Sequence, residues 1–162
     1  MADRGSEVSD TKGVWKRRLA ISATLLFLFG LPLVGTVGAY LHAHSTMRAS
    51  AVAFVEEEVP KILRDQDWEE MSFFGTRTLK GDLTQAEFES WFATFGEFQG
   101  LGELRVTRST VGEREDQAWQ YVNMVGEARF SKGTARVSLR AARRSIALPE
   151  WRLEEFELTP VE

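Results

Sequence analysis

Tyr121, Asn123 and Glu127 lie two and four residues apart in the alternating stretch QAWQYVNMVGEARF, so a phenol, an amide and a carboxylate share one face of a predicted strand with Trp119 and Val125. A carboxylate whose pKa is matched to the task by its surroundings can act as a general base, and a phenol can donate a proton. Trp91 and Trp151 are the large rings that would wall a pocket around such a trio. The same spacing also describes an outer sheet face with ordinary cross-strand pairs. No histidine follows His44 and the chain contains no cysteine, which removes thiol catalysis, disulfides and cysteine-held metal. No catalytic set, metal site or cofactor is expected, and Tyr121, Asn123, Glu127, Trp91 and Trp151 stand as a candidate ligand-binding group.

A second group is basic. Arg136, Arg140, Arg143 and Arg144 crowd one predicted strand, and Glu150, Glu154, Glu155 and Glu157 crowd the next. Neighbouring antiparallel strands of opposite charge can pair across their hairpin, each exposed pair contributing about 0.2 to 1 kcal/mol. The alternative is that the arginine row docks an anion or a protein partner. His42 and His44, an i, i+2 pair, point in different directions on a helix, and nothing nearby completes a metal site. Glu56, Glu57 and Glu58 read as a solvated helix face.

The elements that would carry these residues emerge from a change in composition along the chain. Leu19 to Leu41, 23 residues, contains no charge and is preceded by Lys16, Arg17 and Arg18. As a helix it would reach about 34 Å, enough to cross a hydrocarbon core of about 30 Å. The basic cluster on its N-terminal side keeps that end in the cytoplasm and places the remainder of the chain outside, in the periplasm of a Gram-negative host. The expected organisation is a cytoplasmic tail over 1–18, a transmembrane signal anchor over 19–41, a juxtamembrane segment over 42–47 and one extracytoplasmic domain over 48–162. Val37-Gly38-Ala39 leaves open a cleaved signal instead. After Ser45 there are fifteen Lys and Arg against 21 Asp and Glu, which argues against a nucleic-acid binder.

Within the domain, Val52, Val55, Val59, Ile62 and Leu63 recur at helical spacing, predicting an amphipathic helix from Thr46 to Arg64 that Pro60 kinks or ends. Asp67 to Phe74 reads as a short helix or turn, and Gly81-Asp82 as a break. Thr84 and Glu87 form a capping box, with Leu83 and Phe88 as the hydrophobic staple. Phe88, Trp91, Phe92 and Phe95 then line one helix face, and Gly100 and Gly102 are expected to end that helix. From Glu103 the period becomes two, predicting four successive strands in an antiparallel meander. The alternation slips at Ala141-Ala142 and at Glu154-Glu155, which predicts two β-bulges bending the sheet around the aromatic helix face.

Helices followed by four long strands resemble the nuclear-transport-factor-2-like superfamily, and more narrowly its membrane-anchored or secreted bacterial members of unknown function. The residues that carry the resemblance are Leu83-Thr84-Gln85-Ala86-Glu87-Phe88, Gly100-Leu101-Gly102-Glu103-Leu104 and Trp151-Arg152-Leu153-Glu154-Glu155-Phe156, within a pattern covering 48 to 160. The resemblance implies an α+β fold: two or three helices packed on a bent four-stranded antiparallel sheet in a cone-like domain. Ala147-Leu148-Pro149-Glu150 stands where members of the superfamily usually have a Gly-containing turn. The superfamily holds isomerases, dehydratases and binding modules, so the fold alone selects no function.

The expected function is that of a single-pass inner-membrane protein whose periplasmic domain binds or scaffolds another membrane or periplasmic protein without catalysis, with a homo-dimer through the sheet as a further partner option. The alternatives are a small-ligand-binding domain or minor enzyme using the cone cavity, and a cleaved secreted protein of the same fold.

Overall fold

The computed structural model describes residues 31–144 and 150–161, with side chains from residue 39 onward. Residues 1–18 and 19–30, which carry the expected tail and most of the expected span, lie outside the described residues, as does the turn at 145–149. Among the described residues, no helix is long and apolar enough to cross a membrane. The chain divides into two compact units, Met1–Ala43 and His44–Glu162. The described part of the first is helical, and Tyr40 and Leu41 on it are exposed.

The second unit has an α+β fold. Helix α1 (Leu31–Asp65) enters it at His44, and α2 (Trp68–Phe74), α3 (Arg77–Asp82) and α4 (Gln85–Phe95) come after it in the chain. Met47, Ala51, Val55, Val59 and Ile62 recur every three or four residues along α1, and all are buried. Pro60 does not end α1, which continues to Asp65. The carbonyl that loses its bond to the missing proline N–H belongs to exposed Glu56. Lys61 reaches back to Glu57 at 3.2 Å and Glu58 at 3.3 Å, so the glutamate row is a paired, solvated face.

Helix α4 starts as expected. Thr84 Oγ1 accepts from the Glu87 N–H and the Glu87 carboxylate accepts from the Thr84 N–H at 2.8 Å. Its end differs from the expectation, because Gly96, with φ of 82°, stops it after Phe95. A side chain there would collide with Ser131 Oγ. That hydroxyl accepts from the Glu97 N–H at 2.9 Å, which ties the helix exit to the turn at Ser131-Lys132. Gly100 lies inside a strand, and Gly102 donates its N–H to the Glu127 carbonyl at 2.7 Å. The expectation that Gly100 and Gly102 end the helix is therefore corrected.

Five strands form one antiparallel sheet: β1 (Phe98–Leu101), β2 (Arg105–Arg114), β3 (Gln117–Phe130), β4 (Gly133–Arg144) and β5 (Arg152–Pro160). The 14-residue β3 is long enough to pair with β1 at Ala128–Phe130 and with β2 over Gln117–Val125 along one edge. The expected four strands are β2 to β5, and short β1 is the addition. On one face Val122, Met124, Ala128, Phe130, Val137 and Leu139 are buried against the helices. Phe88 sits at the centre, fully buried, with its ring centroid 5.7 Å from Trp68, 5.6 Å from Trp91 and 5.2 Å from Phe92. Trp91 packs on Phe156, and Phe95 on Phe130.

The two expected slips are one bulge. Arg140 pairs with Glu155 and Ala141 with Leu153, leaving Glu154 as the extra residue of β5. Further register shifts fall at Thr107 in β2 and Gln99 in β1.

Replacing Phe88 by Ala should cost about 3–5 kcal/mol by urea unfolding, because the four-ring cluster leaves no small group free to fill the void. A loss below about 1 kcal/mol would mean that Phe88 is not the centre of the core.

Candidate functional site

The sheet face opposite the helices carries a polar cluster around the bulge. Leu153 turns into the core and the Glu154 carboxylate turns to the other face, where only 7% of its side-chain surface remains exposed. Glu154 Oε1 lies 3.1 Å from Arg114 Nη1, and Oε2 lies 3.7 Å from Arg140 Nη1. Arg140 also pairs with Glu155, and its Nε–H donates to Asn123 Oδ1 at 2.8 Å. Arg114 donates in addition to Thr78 Oγ1 on α3, at 3.3 Å. In a flat sheet, three spacings of about 4.8 Å would separate β2 from β5 by roughly 14 Å. The register places Glu154 level with Arg108 and Ser109 of β2, so Arg114 lies at least five residues, roughly 17 Å, further along that strand, and the Arg114–Glu154 contact means that the sheet curls around this face.

These residues, with Tyr121, Asn123, Arg108 and Thr110, line an open hollow of about 430 Å³. Burial raises the Glu154 carboxyl above the ordinary glutamate range, while Arg140 and Arg114 pull it back. Burial, and then the Glu154 charge, raise the Tyr121 phenol, so it holds its proton at neutral pH. Glu154 Oε1 accepts from Arg114, Oε2 faces Arg140 at ion-pair distance, and Asn123 holds Arg140 in place. The arrangement is an ion-pair network that links β2, β4 and β5.

The five residues of the candidate ligand group do not come together. Tyr121 and Asn123 share the hollow, but Glu127 lies four residues further along β3, opposite Arg136, in a separate hollow with Glu103 and Arg105. Trp91 and Trp151 belong to the core, where Trp151 donates its Nε1–H to Ser50 Oγ at 3.2 Å. Strand alternation placed Tyr121 and Asn123 correctly. It carried no information about Arg114 and Thr78, which reach the site from three strands away and from another helix.

The arginine row also separates. Arg140 pairs with Glu154 and Glu155 across the last hairpin, as expected. Arg136 faces Glu127 and Thr159. Arg143 points to the core side, its guanidinium 4.5 Å from the Trp151 ring, and burial lowers its pKa. Arg144 lies 5.6 Å from the Trp119 ring on the opposite face. A hollow of about 450 Å³ lies at this end of the sheet, lined by both together with Arg77, Lys80 and Arg152. Near the start of α1 in this unit, His44 Nδ1 lies 3.4 Å from Ser109 Oγ, and Arg48 donates to the same hydroxyl. Among the described residues, no group of three His, Cys, Asp or Glu side chains is arranged to hold a metal ion.

No protein-family model matches this chain, and neither a curated protein nor a solved structure matches it.

A carboxyl whose folded pKa is raised stabilises the fold below its ordinary value of about 4.5, and that contribution disappears as pH rises through the folded value. The melting temperature of the wild type relative to Glu154→Gln should therefore fall as pH rises above about 4.5. A difference that grows in favour of the wild type over the same range would show that the arginines outweigh burial.

Proposed function

We propose that this protein is a single-pass membrane protein whose extracytoplasmic α+β domain is a non-catalytic binding or scaffolding module for another membrane or extracytoplasmic protein. The observation that carries this reading is the state of the two sheet faces. Rings of α2, α4 and β5 fill the space between helices and sheet where a cone-like enzyme would keep its substrate. On the other face the titratable groups are tied to one another. The charge-free run Leu19 to Leu41 behind Lys16-Arg17-Arg18 supports the anchor and its orientation, N-terminus in the cytoplasm.

The order of helices followed by a curled antiparallel meander supports membership of the nuclear-transport-factor-2-like superfamily as the finer description of the fold. Within it, a module without a catalytic set gains its specificity from being held beside its partner.

Native membranes solubilised in a mild detergent test this. The protein should migrate in a complex larger than its own micelle, and chemical crosslinking should yield a defined hetero-adduct. Migration alone, with no adduct, would overturn the reading.

A further inference from the structure

The hollow beside α3 gathers positive charge in a domain that is otherwise acidic. Five of the fifteen Lys and Arg after Ser45 line it, against the single carboxylate of Glu150. Two of the five already serve the fold: Arg143 stacks on Trp151 and donates to Gln120 Oε1 at 2.7 Å, and Arg152 donates to the Phe73 carbonyl at 3.0 Å. Arg77, Lys80 and Arg144 are exposed, and none forms an ion pair among the described residues. Like charges around a concave surface repel one another and focus their field outward, so this site gains most when an anionic group enters.

The hollow continues past Glu150 and Arg152, which line both parts, into a notch of about 370 Å³ walled by Phe54, Phe73, Phe74 and Trp151, with Glu57, paired to Lys61, at its edge. Phe73 is 65% exposed there. One half of the groove is thus basic and the other aromatic. A lone oxyanion would use only the first half.

We infer that this groove docks an acidic segment of the partner protein, with its carboxylates over Arg77, Lys80 and Arg144 and a neighbouring apolar side chain on Phe73. This rests on the reading of the domain as a binding module, and adds which face is used and what chemistry it meets. Outside the groove, the same domain carries ten Lys and Arg against 19 Asp and Glu. An acidic segment is repelled from that surface and attracted to the groove, which fixes its docking site as well as its affinity.

The test uses the full chain in its native membrane, with a photoreactive benzophenone amino acid replacing Phe73, Lys80 or, on distant β1, exposed Gln99. Adducts should form from positions 73 and 80 and not from 99, and the crosslinked peptide should hold at least three Asp or Glu within about ten residues. The double variant Arg77→Glu, Arg144→Glu should lower the position-73 adduct at least about tenfold while its melting temperature stays near that of the parent. Should that variant fail to fold, the parent adduct should still fall on raising salt from about 50 mM to about 500 mM. A crosslinked segment that is neutral or basic overturns the inference, as does an adduct indifferent to both charge reversal and salt. Adducts from position 99 alone place the partner elsewhere and leave the module reading standing. No adduct from any position, in a chain that migrates alone, removes that reading too.

Discussion

Glu154 is the residue on which the sheet turns. As the extra residue of β5 it allows Leu153 to enter the core while its own carboxylate leaves for the opposite face, where Arg114 and Arg140 receive it. Deleting it would leave a regular ladder, with Arg140 still opposite Glu155 and Ala141 still opposite Leu153, but would remove the bend of the bulge and the carboxylate that Arg114 and Arg140 hold. The consequences extend beyond the strand. Leu153 pairs with Gly75, and its carbonyl accepts from the Thr76 N–H at 2.8 Å, so the bulge also sets where α3 begins. The positions of Arg77, Lys80 and Thr78 depend on that in turn.

The two sheet faces divide the work. The face toward the helices is dry, and its rings are spaced for edge-to-face contact, which adds about 0.5–1.5 kcal/mol per pair to the burial itself. The other face is polar and closed by ion pairs. Breaking one partner of a desolvated pair costs more than forming the pair gains, so such a network holds geometry better than it adds stability. At the end of the sheet Arg77, Lys80 and Arg144 stay outside that network, forming no ion pair among the described residues.

Much of this is legible in the residue pattern, and the limits have physical causes. The Thr84–Glu87 cap, the Phe88 to Phe95 face and β2 to β5 stem from local spacing, which is what a single sequence reports best. Pro60 reads as a break, but the buried stripe through Val55, Val59 and Ile62 holds α1 together across it. Gly96 gives no stronger signal than Gly100 and Gly102, because its positive φ and the close approach of Ser131, which make a glycine obligatory there, arise only in the folded chain. Helix α3 has six residues and no apolar period, and strand β1 only four residues, so both owe their form to β5 and β3. At the site, alternation finds Tyr121, Asn123 and Arg140, but Arg114 meets Glu154 only because the sheet curls.

The claim that the bulge carboxylate ties β2 to β5 is tested most directly by a double-mutant cycle on Arg114→Gln and Glu154→Gln, read by urea unfolding at neutral pH. The predicted coupling is at least about 0.5 kcal/mol and up to about 3 kcal/mol, with the double variant less destabilised than the sum of the two single ones. Additive losses would contradict it, and would leave the curl of the sheet to backbone twist and the bulge alone.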